Sequence, residues 1–262
     1  MKHCVECQSV NPDGSLRCLV CGDEFPIGAA KLVDGRYETT GELGRGANGV
    51  VWGAMDVALR RPVALKFLAP QLTSRPEALR RFQREAAALA SIRSDHVARV
   101  YSFGIDGQSF FFAMELVEGQ TCNSIIEGYA ENGELIPVHR ALVILIELAR
   151  GLAAVHSAGI VHRDVKPDNI VVEKGSGRTV LVDFGLALPG EVERETKVVG
   201  SPAYMAPEQI RGNEKLTSRT DVYALGCSAF HVLTNQLVFP TRDVQQMLQK
   251  QLAESPPRVS SV

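Results

Sequence analysis

The sequence predicts an α+β fold with a strand-rich part followed by a mainly helical part. Residues from about 37 to 113 are dominated by β-forming runs around one amphipathic helical pattern, whereas long apolar helical patterns dominate from about 118 onward. Two Cys-x-x-Cys motifs precede both parts, in residues 1–26. We therefore divide the chain into a cysteine-rich module at 1–26, a short linker at 27–36 and a larger domain at 37–262.

A glycine-rich segment at residues 43–51 begins the strand-rich part. Glycine has no Cβ, so such a segment lets backbone amides approach phosphate oxygens. A dinucleotide-binding loop would lead from a strand into a helix, but here residues 50–52 and 63–66 continue with β-forming residues. The lysine that follows the last glycine in P-loop NTPases is also missing from this segment. We therefore predict a strand–loop–strand hairpin, with its glycines at Gly44, Gly46 and Gly49.

A helix is predicted after the strand that ends at Lys66, with a capping signal at residues 74–77. Its apolar positions mark one buried face and are Leu79, Phe82, Leu89 and Ile92. Glu85 falls on the same face, where an unpaired charge is costly, so we expect it to pair with Lys66. The alternative is that Glu85 lies at the edge of the face and reaches water.

The strongest chemical signal is His-Arg-Asp-Val-Lys-Pro-Asp-Asn at residues 162–169, followed by Asp183-Phe-Gly fourteen residues after Asn169. Either motif alone is more often a charged surface loop or a glycine turn. Together they supply the base and the two metal ligands that phosphoryl transfer requires. We assign Asp164 as the base, and Asn169 and Asp183 as ligands of Mg²⁺ or Mn²⁺.

The sequence around this loop is apolar. Residues 140–156 have the length and composition of a buried helix, and Gly159 supplies a signal for its end. Short β-type runs are expected at 160–161 and 170–172. The charged loop would then be held between buried elements, which is where functional residues are often found.

From about Tyr37 to its end, the chain resembles the eukaryotic-type protein kinase family, in the form found in bacterial Ser/Thr kinases. The resemblance rests on the glycine loop, Glu85 and the two loop motifs, and also on Val63-Ala-Leu-Lys66, Ala206-Pro207-Glu208 and Asp221-Val-Tyr-Ala-Leu-Gly226. It implies a bilobal fold: a small antiparallel sheet lobe with one helix, then a helical lobe, with ATP between them.

The resemblance also implies which residues contact ATP. Lys66 would contact the α- and β-phosphates and pair with Glu85. Met114 would control the back of the adenine pocket, and the backbone of Glu115 and Val117 would bind adenine. The full set of implied nucleotide-binding residues is Leu43, Gly44, Gly46, Gly49, Val51, Ala64, Lys66, Met114, Glu115, Val117 and Val171.

The acceptor side is implied by two further features. Lys166, two residues after Asp164, is typical of Ser/Thr kinases, in which its ammonium reaches the transferring phosphate. Residues 200–204 resemble the segment beside the acceptor, with Ser201 in the hydroxyl position. The chain is thus expected to be a Ser/Thr protein kinase that acts on protein substrates and phosphorylates itself. The alternative is a catalytically silent kinase-like scaffold that recruits partners.

A regulatory site is expected on the loop after the second motif. In kinases with an arginine directly before the base, as Arg163 is here, a phosphate on this loop commonly neutralises the arginine. Between Gly185 and Gly200 the only hydroxyl side chain is Thr196. We predict autophosphorylation at Thr196, the alternative being an unmodified threonine in water.

The end of the chain departs from the family pattern. It stops at Val262, before the family's last helices and before the arginine that pairs with the glutamate of Ala206-Pro207-Glu208. We therefore expect a shortened helical lobe or a fragment, with Glu208 lacking that partner. Asp221 resembles the family residue that anchors the catalytic loop, although a carboxylate at the start of a helix is also favourable in itself.

Residues 1–26 are predicted to form a zinc ribbon. Its ligands would be two Cys-x-x-Cys pairs separated by ten residues, a spacing that can close a tetrahedral site: Cys4, Cys7, Cys18 and Cys21. Residues 11–14 give a turn signal between the pairs. Disulfides or a redox pair are the alternative, but the N-terminus does not resemble a secretory signal. We expect structural Zn²⁺ and a cytoplasmic location.

Charge and hydrophobicity limit the partners. Residues 1–26 carry two basic and four acidic residues, and the whole chain carries 28 basic and 30 acidic residues. Phosphate backbones would be repelled, so we predict a protein partner for the ribbon and no nucleic acid. The apolar runs are too short to span a bilayer, so no membrane segment is expected within this chain.

Cys122 and Cys227 are predicted to be small buried hydrophobes.

Overall fold

The computed structural model describes residues 2–3, 10–11, 20, 32–46, 49–68, 87–107, 109–183, 201–212, 215–241 and 243–261. These residues form a β-sheet lobe followed by a mainly helical lobe, which confirms the predicted α+β architecture. In the cysteine-rich region, strands β1 (Lys2–His3) and β2 (Val10–Asn11) form an antiparallel pair.

Six antiparallel strands make up the sheet in the described part of the first lobe, in the order β3-β4-β5-β6-β8-β7. Their bounds are β3 (Leu32–Val33), β4 (Tyr37–Gly46), β5 (Gly49–Asp56), β6 (Arg61–Leu68), β7 (Val100–Asp106) and β8 (Ser109–Glu115). Strand β3 lies inside the predicted linker 27–36. It pairs with β4 and buries Val33 in the lobe's core, so the sheet begins earlier than the sequence predicts.

The two faces of this sheet have different partners. One face forms the lobe's own core, made of Val33, Tyr37, Trp52, Ala54, Val63, Leu65, Phe111 and Ala113. On the other face, Leu68 and Phe112 join the larger core that contains the helices. Successive strand residues point to opposite faces. Ala64 and Lys66 of β6 therefore face the helical lobe.

Among the described residues, the first helix is α1 at residues 87–91. Leu89 and Ile92 are buried, as the periodicity predicts, whereas Leu79, Phe82 and Glu85 lie outside the described residues. The helices of the second lobe are α2 (Cys122–Glu131), α3 (Val138–Ser157), α4 (Pro207–Arg211), α5 (Ser218–Thr234) and α6 (Val244–Ala253).

Helix α3 brings the two lobes together. Its buried residues recur every three or four positions and form one apolar stripe. Gly151 lies on this stripe, where an added Cβ would be 2.5 Å from the carbonyl oxygen of His96. The absence of a side chain at residue 151 thus allows the helix to approach the segment that precedes β7.

The predicted β-type run at 160–161 is wrong. The amide of Ile160 donates to the carbonyl of Val155 in the turn after α3, so the chain is still completing the end of the helix. The run at 170–172 is confirmed as β10 (Ile170–Glu173). Strand β10 pairs with β9 (Gly119–Thr121) and β11 (Thr179–Leu181), forming a small sheet beside the connection between the lobes.

The two cysteines of the helical lobe and Glu208 lie among the described residues. Cys122 and Cys227 are buried and free, as expected, and burial raises the pKa of their thiols to about 12 and about 11 respectively. Glu208, expected to lack its arginine partner, accepts a hydrogen bond of 2.7 Å from the hydroxyl of Thr220. Across the described residues, every helix is too short or too polar to cross a membrane.

Candidate active site

Lys66 joins the two lobes at the centre of the candidate site. Its side chain is buried, and its ammonium forms an ion pair with the carboxylate of Asp183, 117 residues further along the chain. Asp183 follows β11 and has a left-handed backbone with φ of 46°, a conformation uncommon for residues other than glycine. The partner predicted for Lys66, Glu85, lies outside the described residues, so the Lys66–Glu85 pair stays a prediction.

Asp164 is held by two side chains of its own loop. The amide nitrogen of Asn169 donates to the backbone oxygen of Asp164 at 2.8 Å and to its carboxylate at 3.0 Å. The ammonium of Lys166 lies 3.2 Å from the same carboxylate. Because the amide nitrogen of Asn169 is engaged, its amide oxygen is the atom suited to a cation.

Lys166 also connects this loop to the segment at residues 201–206. Its ammonium donates to the hydroxyl of Ser201 at 2.9 Å, in addition to its contact with Asp164. A single cation therefore joins the candidate base to the hydroxyl of Ser201, which lies 35 residues after Lys166. The structure brings these three residues together, although their sequence positions alone do not require it.

The backbone of the loop is anchored by Asp221 at the start of α5. Its fully buried carboxylate accepts hydrogen bonds of 2.8 Å from the amides of His162 and Arg163. The Nε2 atom of His156 donates to it at 2.7 Å, a contact that sequence reasoning did not identify. Burial lowers the pKa of His162, against the field of Asp221 and Asp164, so this ring is neutral at neutral pH.

Neighbouring strands place several of the predicted nucleotide-binding residues on the sheet face that looks toward the helical lobe. Val51 pairs with Lys66, and Ala64 pairs with Met114. Directly paired residues share a face, so these four side chains lie on the same side of the sheet. Ala64, Met114 and Val171 are buried, whereas the side chain of Leu43 is 55% exposed.

At Glu115, the last residue of β8, one backbone group is already hydrogen-bonded. The amide of Glu115 donates to the carbonyl of Arg99 at 2.8 Å and is thus used within the sheet lobe. Val117 is half-buried, and the contact of adenine with the backbone of Glu115 and Val117 stays a prediction.

The glycine-rich hairpin has the predicted strand–loop–strand form. Gly44 pairs with Val51, and Gly46 pairs with Gly49 at the end of the hairpin. Gly49 has φ of 138°, which favours glycine at this position. A Cβ built on Gly44 would meet no atom within 4 Å. The hairpin thus leaves open space beside its backbone, as a phosphate-binding loop requires.

Arg178 is a residue that sequence reasoning missed. Its guanidinium donates to Glu115 at 2.6 Å, to Glu173 at 2.9 Å and to the carbonyl of Asp95 at 2.9 Å. These bonds join the end of β8 to the turn between β10 and β11, behind the connection of the lobes. The residue belongs to no motif, so only the folded chain reveals this contact.

The remaining predicted site residues lie outside the described residues: Cys4, Cys7, Cys18, Cys21, Phe184, Gly185 and Thr196. Where the chain is described, no group of three or more His, Cys, Asp or Glu side chains could hold a metal ion. A cation at Asn169 and Asp183 would therefore complete its coordination with substrate oxygens or water, as Mg²⁺ commonly does.

The sequence comparisons agree with this geometry. The model of the protein kinase domain matches residues 37–260. The chain belongs to the protein kinase family. It is 35% identical over 245 residues to the serine/threonine-protein kinase PknL of Mycobacterium tuberculosis, a match that covers 92% of this chain and 59% of the relative. It is also 34% identical over 230 residues to PrkC of Bacillus subtilis, covering 86% of this chain and 35% of that protein.

The kinase fold is also found in the structural comparison. The crystal structure of the M. tuberculosis PknI kinase domain matches with a TM-score of 0.71 and 28% sequence identity, covering 90% of this chain and 84% of that one. The present chain spans less than two thirds of the length of the curated relatives PknL and PrkC. The family and the fold are thereby shown for this kinase domain.

Proposed function

We propose that this protein is an ATP-dependent Ser/Thr protein kinase that phosphorylates protein substrates and itself. The observation that carries the proposal is the position of Lys166, whose ammonium contacts both the carboxylate of Asp164 and the hydroxyl of Ser201. A cation beside the base and the acceptor-side segment can neutralise negative charge on a phosphoryl group in transfer. Relatives named as serine/threonine-protein kinases support this assignment.

In the proposed reaction, the acceptor hydroxyl donates its proton to the carboxylate of Asp164. The acceptor oxygen forms a bond to the γ-phosphorus of ATP, the bond from that phosphorus to the bridging oxygen breaks, and ADP leaves with the electron pair. Asn169 and Lys166 hold the carboxylate in place. Lys66, on the sheet face that lines the cleft, would bind the nucleotide's phosphates.

Asn169 and Asp183 would hold Mg²⁺ or Mn²⁺. The fit rests on donor chemistry, because a carboxylate and an amide oxygen suit hard cations. When bound, the ion neutralises charge on the phosphate oxygens. The side chain of Asp183 is 37% exposed even though it pairs with Lys66, so part of this carboxylate is accessible.

Incubation with Mg-ATP and a generic Ser/Thr protein substrate tests the proposal directly. We expect mass spectrometry to find added phosphoryl groups on the substrate and on the kinase chain. The Asp164→Asn variant, which keeps the size of the side chain but cannot take a proton, is the matched control. If the wild-type chain binds Mg-ATP but transfers no phosphate, the silent scaffold is the better description.

We also propose that Thr196 is an autophosphorylation site, because it is the only hydroxyl residue between Gly185 and Gly200 and Arg163 precedes the base. A phosphate there would form a charge-assisted contact with the guanidinium. Phosphopeptide mapping after incubation with Mg-ATP is expected to find phospho-Thr196, and Thr196→Ala is expected to lower the rate. An unmodified Thr196 together with an unchanged rate would refute this assignment.

The N-terminal module is proposed to be a zinc ribbon that docks a protein partner. In sequence, the first cysteine pair lies between the paired strands β1 and β2, and this placement supports a zinc knuckle. We expect one zinc per chain after purification under reducing conditions, and loss of zinc in the Cys18→Ser variant. Metal analysis measures both, with Cys227→Ser as the control because that thiol is buried in the helical lobe. Full zinc occupancy in Cys18→Ser would contradict the ligand set.

A further inference from the structure

Gln209 of helix α4 makes two hydrogen bonds that connect the 201–206 segment to the loop of the base. Its side-chain nitrogen donates to the carbonyl oxygen of Arg163 at 2.9 Å. Its side-chain oxygen accepts from the amide of Ala206 at 3.0 Å. Gln209 is half-buried, and Ala206 is fully buried.

The orientation of this amide is fixed by its partners. A carbonyl oxygen can only accept, and a backbone amide can only donate. Turning the amide group by half a rotation would therefore place nitrogen against nitrogen and oxygen against oxygen. The side chain consequently has one arrangement that satisfies both Arg163 and Ala206. Replacing only its nitrogen affects the bond to Arg163, and replacing only its oxygen affects the bond to Ala206.

The two bonds matter because Arg163 directly precedes Asp164, the proposed base. Arg163 has a left-handed backbone, with φ of 69°. Its amide donates to Asp221, and its carbonyl accepts from Gln209. Both backbone groups of the residue before the base are thus held by side chains, one from α5 and one from α4.

The other end of the Gln209 amide belongs to the segment that contacts the acceptor side. In this segment, Ser201 accepts from Lys166, and the carbonyl of Pro202 accepts from the buried Gln251 at 2.6 Å. Gln209 bonds the amide of Ala206 in this segment and the carbonyl of Arg163 in the 162–169 loop at the same time. A shift of the segment would therefore displace the carbonyl of Arg163.

We propose that Gln209 is a positioning residue that sets the alignment of Asp164 relative to the bound acceptor segment. This role rests on the proposed kinase function. Gln209 lies on α4, whereas the residues assigned to the nucleotide lie on the sheet lobe, the lobe connection and β10. Its loss should therefore affect turnover of the protein substrate and leave the affinity for Mg-ATP unchanged.

A purely structural role is the competing explanation, because Gln209 also caps the start of α4 through Ala206. Gln209→Glu separates the two roles. The carboxylate still accepts from Ala206, and a negative charge in the first turn favours the helix. It cannot donate to Arg163, however, and places a charged oxygen against that carbonyl. Gln209→Leu removes both bonds.

We expect Gln209→Glu to lower kcat/KM for a protein substrate about five- to tenfold at pH 8, the scale of one lost hydrogen bond. Its melting temperature and its Kd for Mg-ATP should match the wild type. Protonating the new carboxyl group restores the missing donor, so the ratio of variant to wild-type activity should rise as the pH falls toward 6. Gln245→Glu, which adds the same charge on the exposed start of α6, should leave activity and pH profile unchanged.

Activity of Gln209→Glu equal to wild type, or a loss that does not recover at lower pH, would overturn the positioning role. A wild-type chain without kinase activity would instead refute the proposed function. In that event, amide hydrogen exchange tests whether Gln209 holds the loop at 163–166 in place. Faster exchange at these amides in Gln209→Leu supports this role, and unchanged exchange overturns it.

Discussion

Replacing Asp164 with alanine is expected to lower kcat for a protein substrate by about 10²–10⁴-fold, the range of a lost general base. The Kd for Mg-ATP should stay near the wild-type value, because the Asp164 carboxylate contacts Asn169 and Lys166 of its own loop and its proposed role is toward the acceptor hydroxyl. Isothermal titration with Mg-ATP, together with initial rates at saturating ATP, measures the two effects separately.

Asp183 and Lys66 are expected to respond differently from Asp164. Asp183→Ala removes the carboxylate assigned to the metal and should weaken Mg-ATP binding as well as abolish transfer. Lys66→Ala should also abolish transfer, since its buried ammonium pairs with Asp183 and is proposed to bind the nucleotide's phosphates. If Asp164→Ala bound Mg-ATP far more weakly than Asp183→Ala, the assigned roles would have to be exchanged.

Local sequence patterns were sufficient for much of this fold. The glycines at 44, 46 and 49 predict a hairpin between two strands, and the spacing of Leu89 and Ile92 predicts that both are buried. These features depend only on residues that are close together in sequence. The candidate site is likewise predicted from short motifs, because Asp164, Lys166 and Asn169 are close in sequence, and the structure shows contacts among them.

Other features could not be predicted because they depend on residues far apart. Arg178 and Gln209 belong to no motif, and their partners at 115 and 163 are brought to them only by the packing of the lobes. Residues 32–33 lie in the predicted linker 27–36, yet pairing with β4 makes them a strand. The run at 160–161 has β-forming composition, but the end of α3 uses its first amide.

Asp221 is the residue whose replacement should combine the largest losses of stability and activity. Its carboxylate is fully buried and accepts from the amides of His162 and Arg163 and from the ring of His156. Asp221→Ala leaves these donors without an acceptor, at a cost of about 1–3 kcal/mol for each buried N–H that stays unpaired. It also frees the amide of Arg163, the residue before Asp164.

Asp221→Asn gives the sharper measurement, because the side chain keeps its size but has one accepting oxygen in place of two. We expect urea unfolding to show a lower free energy of unfolding, and kcat to fall even at temperatures where the variant is fully folded. Asp56→Asn is the matched control. It also alters a fully buried carboxylate, but one that accepts from Arg36 in the sheet lobe, away from the 162–169 loop.

The control variant, Asp56→Asn, should lose stability and keep its kcat. This difference is expected because Asp56 holds a turn of the sheet lobe, whereas Asp221 holds the amide of Arg163 while Gln209 holds the carbonyl of the same residue. With only one of these two anchors left, the left-handed backbone at 163 can relax, and the Asp164 carboxylate loses its orientation toward the acceptor. Equal losses of kcat in Asp56→Asn and Asp221→Asn at matched stability would show that Asp221 acts on global folding alone.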